Sequence, residues 1–419
     1  MRRPECSTAN GAYAIERALT LAVALFVALT RSTSAEAEER TLERKFVERD
    51  EDADGWAFEE LRLFFGVFVQ DGHGYQSQAE PMIDGKGSEE AWIIEPLQSV
   101  RFRSSSKLDH TIVLPVDIVS AASPDATDLT STASRVNQSF ALDVITTYKT
   151  PILDLTFHWG PHFEEPYRSF YAGPGFRFHL FEDNTIIDLN GTIVADAFDP
   201  IQPNGKDTGQ EARITLTGNA TWSQVLSPTT VMDLSFSATT QSGTLQTTFN
   251  SILAHDVDAI GFDDARRLAD IFPDNRFRGA AVARVSQHVP ATHTTVKASY
   301  RYYHDENDVT AHTTDLELSQ YIVPWLYLRA LGRLHIQTPI SFWVPVLPEI
   351  PATDRPRTAD SDLGRFVARE AGLHLVLVRD RAPKSFRGPD TFDIGYLRYQ
   401  RSDELHVDFA SLSYARTFE

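Results

Sequence analysis

The chain holds a single cysteine, Cys6, among 419 residues. It stands ahead of the apolar stretch of an N-terminal segment that reads as a secretory signal, so the mature chain is expected to carry no thiol. Cysteine nucleophiles, thiolate metal sites, disulfides and redox pairs are thereby excluded. Long apolar runs are also missing. Beyond residue 30 nothing approaches the roughly 18 consecutive apolar residues that a membrane-crossing helix needs. Helical spacing is rare, and only residues 263–272 suggest a short helix, inside a loop. Positive charge is scarce, with 39 Lys and Arg against 58 Asp and Glu, for a net charge of -19. Loss of residues 1–37, which carry four arginines and three glutamates, takes this to -20. Such acidity argues against nucleic acid as a partner.

Residues 1–37 have the layout of a cleaved export signal. Arg2, Arg3 and Arg17 precede the apolar run 18–30 (ALTLAVALFVALT), and Ala35 and Ala37 supply small residues for cleavage. That run is too short to span a bilayer as a helix. Residues 38–57 are charged and are expected to form an acidic periplasmic segment. Within the stretch 50–55 (DEDADG), Asp50, Asp52, Asp54 and Gly55 are spaced like the start of a calcium loop. Leu61 stands where the closing glutamate belongs, with Glu60 one residue early, so the stretch reads as a solvated acidic tail.

What the sequence has in abundance is period-two alternation. In residues 296–322 (VKASYRYYHDENDVTAHTTDLELSQYI), Val296, Ala298, Tyr300 and Tyr302 alternate with Lys297, Ser299 and Arg301. After a turn at 304–308, Leu316, Leu318 and Ile322 alternate with Asp315, Glu317 and Ser319. This is a hairpin with two unlike faces. Sixteen such runs follow one another from 58–70 to 404–418, and short links alternate with long ones such as 121–135, 199–209, 244–275 and 341–361. The expected fold is all-β: a transmembrane antiparallel up-and-down β-barrel over residues 58–419. Sixteen strands are expected, with fourteen as the alternative count. Counting 58–70 as the first strand puts the short turns named by this pattern and both chain ends on the periplasmic side; the turn after Val378 is longer than the pattern expects, and the outer links 162–166, 304–308 and 401–403 are short. The same count puts the hairpin apex outside, with Tyr300 and Tyr302 near the outer aromatic girdle. A secreted β-sandwich would not present lipid-like faces on consecutive strands. Alternation slips between Phe409 and Leu412, which suggests a bulge.

The hairpin resembles one bacterial family when taken together with the stretches DIVSAASPD (117–125), STASR (131–135), SATTQSG (237–243), SYRYY (299–303) and AHT (311–313). This is the outer-membrane barrel family catalogued as domain of unknown function 3570. The resemblance spans roughly Phe58 to the C-terminus. It implies a Gram-negative outer-membrane location, and it brings no substrate or catalytic residues with it.

Candidate chemistry is concentrated in the lumen. Polar parity places Arg213, Asp233, Lys297, Arg301, Asp315, Glu317, Arg329, Arg333, Asp393 and Asp408 inside, a mixed set that suggests a charged network rather than a filter of one sign. His158 and His162 lie about 13 Å apart on an extended strand and read as rim residues rather than metal ligands. The cluster His304, Asp305, Glu306, Asp308 and His312 reads as a solvated turn. His406 shares a face with Glu404 and Asp408, but no nucleophile is marked, so no enzyme activity is expected. No metal or cofactor is expected either. The expected function is a channel or transporter for a small polar solute, with the 244–275 loop as constriction or lid. The alternative is a non-conducting scaffold or receptor that docks a periplasmic protein through the acidic segment. Outer-membrane lipid and lipopolysaccharide are the expected surroundings.

Overall fold

A computed structural model describes residues 55–72, 90–121, 136–164, 167–199, 209–245, 251–254, 266–348, 354–379 and 390–418. The expected export signal (1–37), the acidic segment as far as residue 54, and the calcium-like stretch 50–55 except for Gly55 lie outside the described residues.

Alternating side chains impose extended backbone, and each extended run finds its neighbour in sequence as an antiparallel partner. The first eight strands are β1 (Ala57–Asp71), β2 (Ala91–Ser105), β3 (Leu108–Ala121), β4 (Val136–Ala141 and Asp143–Tyr148), β5 (Leu153–Glu164), β6 (Tyr167–Leu180), β7 (Thr185–Phe198) and β8 (Glu211–Ser227). The second eight are β9 (Thr230–Gly243), β10 (Asn275–Val289), β11 (Thr294–Asp305), β12 (Thr310–Val323), β13 (Leu326–Gln337), β14 (Phe366–Arg379), β15 (Asp390–Arg401) and β16 (His406–Thr417). β1 then pairs with β16, from Glu60 opposite Thr417 to Asp71 opposite His406, and the wall closes as a sixteen-stranded antiparallel barrel. Closure leaves no sheet edge, the condition for a sheet to sit in lipid.

β4 is one strand with a local break. The carbonyl of Leu142 leans across β5, and a Cβ on Gly160 would lie 1.8 Å from that oxygen. Only glycine permits the approach.

Residues opposed across a ladder share a face, so the register sorts the two surfaces. One face gathers exposed apolar side chains, among them Phe157, Ile193, Phe236, Leu316 and Leu373. It is the outward, lipid-facing one. The other carries most of the ion pairs and lines the lumen. The links 149–152, 181–184, 228–229, 290–293 and 324–325 are short and share one end with Ala57 and Thr417, as does the longer link 380–389; the links 72–90, 122–135, 199–210, 244–274 and 338–365 share the other end, together with the short links 165–166, 306–309 and 402–405.

Two expectations are corrected. Residues 266–269 form a strand, not a helix, because they pair with Ser251–Ala254 while Leu268 packs beside Ile252. β16 runs without a register shift against both β1 and β15, so there is no bulge between Phe409 and Leu412. Phe409 instead points into the lumen, stacked on Phe68 with centroids 4.2 Å apart.

Leu316, at the middle of β12 and 54% exposed, tests this sorting. Leu316→Arg should lower unfolding stability in bilayers by roughly 2–4 kcal/mol, whereas Ser319→Arg on the lumen face should change it far less. Equal losses, measured by urea titration, would contradict the assignment.

Candidate functional site: a charged lumen wall beneath a cap

One hydrogen-bonded row crosses the lumen face in the order Asp233, Arg284, Ser299, Asp315, Arg333, Glu370. The charges alternate in sign along it. Arg284 lies 3.8 Å from Asp233, Arg333 Nε donates to Asp315 at 2.5 Å, and Arg333 Nη1 lies 3.5 Å from Glu370. Ser299 Oγ donates to Asp315 at 2.9 Å. The next row holds Lys297, whose Nζ donates to Glu317 at 2.9 Å. Below it, Arg329 donates to Asp393 at 2.6 Å and His374 Nδ1 meets the other carboxylate oxygen at 2.7 Å. His374 can lie over β15 because Gly395 has no side chain there; a Cβ would meet the imidazole at 2.4 Å.

The structure thus brings Asp233, Lys297, Asp315, Glu317, Arg329, Arg333 and Asp393 onto one continuous stretch of wall. Arg213 is also on the lumen face but stands apart, its Nε donating to Asp196 at 2.7 Å, with the Tyr167 hydroxyl donating to the same carboxylate at 2.5 Å. Arg301 faces the lumen beside the Tyr303 ring, 5.7 Å from its centroid. Among the described residues it forms no ion pair.

Asp408 is the departure. It sits opposite Arg398 and Val69 on the outward face, where it accepts from the Tyr396 hydroxyl at 2.5 Å. The unshifted register that turns Phe409 inward turns Asp408 outward. Sequence reasoning also passed over Arg284, Glu370 and His374. All three were recoverable, because their parity matches that of the candidates once the turns fix the register.

Other singled-out residues have local roles. His158 bonds Thr192 at 3.0 Å across the lumen face, where Gly173 leaves room, and His162 packs on Tyr167. Among the described residues no cluster of three or more His, Cys, Asp or Glu is arranged to hold a metal. The hairpin apex is not simply solvated. Asp305 is 1% exposed, accepts from the backbone of Asn307 and Val309 at 3.0 Å each, and takes Arg276 Nε at 3.0 Å.

The mouth at the end of the long links carries a cap built from the described parts of two links, 244–274 and the proline-rich 338–365. Ser251–Ala254 pairs antiparallel with Arg266–Ala269 and, through Leu253 and Ala254, parallel with Val346 and Leu347. Ile252 and Ala359 form one small core, and Phe272, Val309 and Ile340 form another. Lumen-facing Tyr303 packs against the second core, so the loops fold inward over the mouth. Arg401 latches the cap to the wall. It donates to the Ser361 carbonyl at 2.9 Å, pairs with Asp362 and Asp403, and lies 4.1 Å over the Phe366 ring.

Two cap carboxyls are held away from their ordinary behaviour. Burial pushes Asp270 up to about 6, against the Thr358 hydroxyl that donates to it at 2.6 Å and the charge of Arg357. Burial, with the charge of Asp362 next, pushes Asp360 up to about 7. Raised carboxyl values mean that the docked cap prefers the protonated forms. Docking should therefore weaken as pH rises from about 4 through 7 and level off above that. For Asp270 the rise from 3.8 to about 6 is worth at most roughly 3 kcal/mol. Amide protection factors at Ile271 and Arg357 should fall over this range, and Asp270→Asn should flatten much of the fall. Protection that rises with pH would contradict the assignment.

The solved structures that resemble this fold include two barrels. The siderophore receptor PirA from Acinetobacter baumannii matches with a TM-score of 0.43 at 10% identity, over 83% of this chain and 53% of that one. OccK7 (OpdD) from Pseudomonas aeruginosa matches with a TM-score of 0.44 at 11% identity, over 87% of this chain and 99% of that one. The chain spans about half the length of the siderophore receptors it matches. No curated protein matches its sequence. Residues 184–378, which hold β7 to β14 and most of the charged wall, match the family model described as Protein of unknown function (DUF3570).

Proposed function

We propose that this protein is an outer-membrane channel through which a small polar solute passes along the charged wall, with the two-loop cap as its outer constriction. The observation that carries this reading is the state of the wall side chains. Arg333 and Lys297 remain 47% and 46% exposed while paired, and they border a hollow of about 470 Å³ on the inner face. Groups packed into a plugged core would be buried; these are left for water and solute. Alternating charges let a dipolar solute exchange hydration for paired contacts without a deep well for either sign of ion. Passage of this kind needs no bond-making step, and the chain acts as a conduit rather than a catalyst. Its surroundings would be outer-membrane lipid and lipopolysaccharide.

Planar-bilayer recording of the folded protein tests the proposal. Discrete conductance steps are expected. Replacing residues 246–269 with a short Gly-Ser linker should enlarge them, and Arg284→Glu with Lys297→Glu should shift the reversal potential towards cation preference. Absence of any conductance, with and without the 246–269 loop, would overturn the proposal and leave the non-conducting scaffold.

A further inference from the structure

The lumen is amphipathic around its circumference. A single hydrogen-bonded row runs Lys297, Glu317, Leu331, Gly372, Leu397, Phe409, Phe68, Ile93. Its first two members are an ion pair and the rest, apart from Gly372, are apolar. Phe64 adds to the apolar part, its centroid 6.3 Å from that of Phe409. Gly66 makes room for these rings, since a Cβ there would lie 2.8 Å from Phe409. Leu331, Leu397, Phe68 and Phe409 are only partly buried, so an apolar stripe looks onto the lumen. Water alone gains nothing from such a stripe.

The cations beside the stripe are the better candidates for a headgroup. Arg333 and Leu397 stand on strands two apart and two residues out of line, about 12 Å at the usual strand and residue spacings. The belt carboxylates Asp233, Asp315, Glu317, Glu370 and Asp393 each have a cationic partner. Arg301 keeps its guanidinium without a carboxylate among the described residues. Arg333 is 47% exposed although paired, so an incoming carboxylate meets an accessible guanidinium beside the stripe, whereas an incoming cation finds acids already engaged.

Resting on the channel reading above, we infer that the solute is an amphiphilic carboxylate, its anionic head on the arginine side and its aromatic or aliphatic body on the Leu397–Phe409–Phe68 stripe. Two groups that share one solute would favour it over either a simple ion or a neutral apolar molecule.

The test uses 3-phenylpropionate, with acetate and 3-phenylpropionamide as controls, on the full folded protein in nanodiscs. Saturation-transfer NMR should show binding of 3-phenylpropionate, with the ring protons most strongly saturated, and weak or no transfer to either control. Phe68→Ala with Phe409→Ala should weaken binding by about ten-fold, the scale of a lost aromatic contact, while Phe409→Leu retains most of it. Heat-modifiable gel migration confirms that each variant is folded. In bilayers the same compound should interrupt the current. Binding without conductance would overturn the channel reading and keep the site. Conductance without binding, or binding equal to that of acetate, would overturn the site and keep the channel.

Discussion

The backbone hydrogen bond sets every other choice in this molecule. In hydrocarbon an unpaired amide or carbonyl costs several kcal/mol, so a sheet that enters lipid must close on itself. Here the last ladder joins β1 to β16, residue by residue from Glu60 to Asp71. Once the ring is closed, each side chain has only two destinations, lipid or lumen. Period-two alternation is the sequence meeting that demand, and a shift of one residue would exchange the two surfaces.

Charge is used differently in two places. Along the wall, ion pairs such as Arg333 with Asp315 and Lys297 with Glu317 remain about half exposed on the cationic side. Pairs so screened contribute between 0 and about 1 kcal/mol, too little to explain the wall's integrity. Their consequence is the field they impose on the lumen. At the rim beneath the cap, Arg401 and Arg276 have side chains 3% and 11% exposed, and the Asp305 side chain is fully buried. Removing one partner there would leave an uncompensated buried charge, at a cost of roughly 3–5 kcal/mol. The wall tolerates variation, and the latches do not.

Much of this was legible in the sequence because it follows from alternation and link length. The strand count, the side of the short turns and the inward parity of Lys297, Asp315, Glu317 and Arg333 all follow from counting residues. Alternation failed where both faces carry similar residues. At the end of the chain, Phe409 is apolar yet faces the lumen, and Asp408 is charged yet faces outward beside Tyr396. Polarity alone assigns both to the wrong side, and only pairing with β1 and β15 corrects it. The cap was half legible. The 244–275 loop is long enough to serve as a lid, but its partnership with 338–365 rests on contacts between residues about 90 apart, such as Asp270 with Thr358. Local pattern carries no trace of such contacts.

The sorting of side chains between lipid and lumen supports every functional statement here, and one measurement addresses it directly. Residues 38–419 contain no cysteine, so single cysteines can be placed at 315, 316, 317, 408 and 409, labelled with a fluorophore and exposed to quenchers. A water-soluble quencher should reach labels at 315, 317 and 409, and a lipid-borne quencher should reach those at 316 and 408. Reversal of the pattern at 408 and 409, or equal quenching at all five positions, would contradict the lumen described for this barrel.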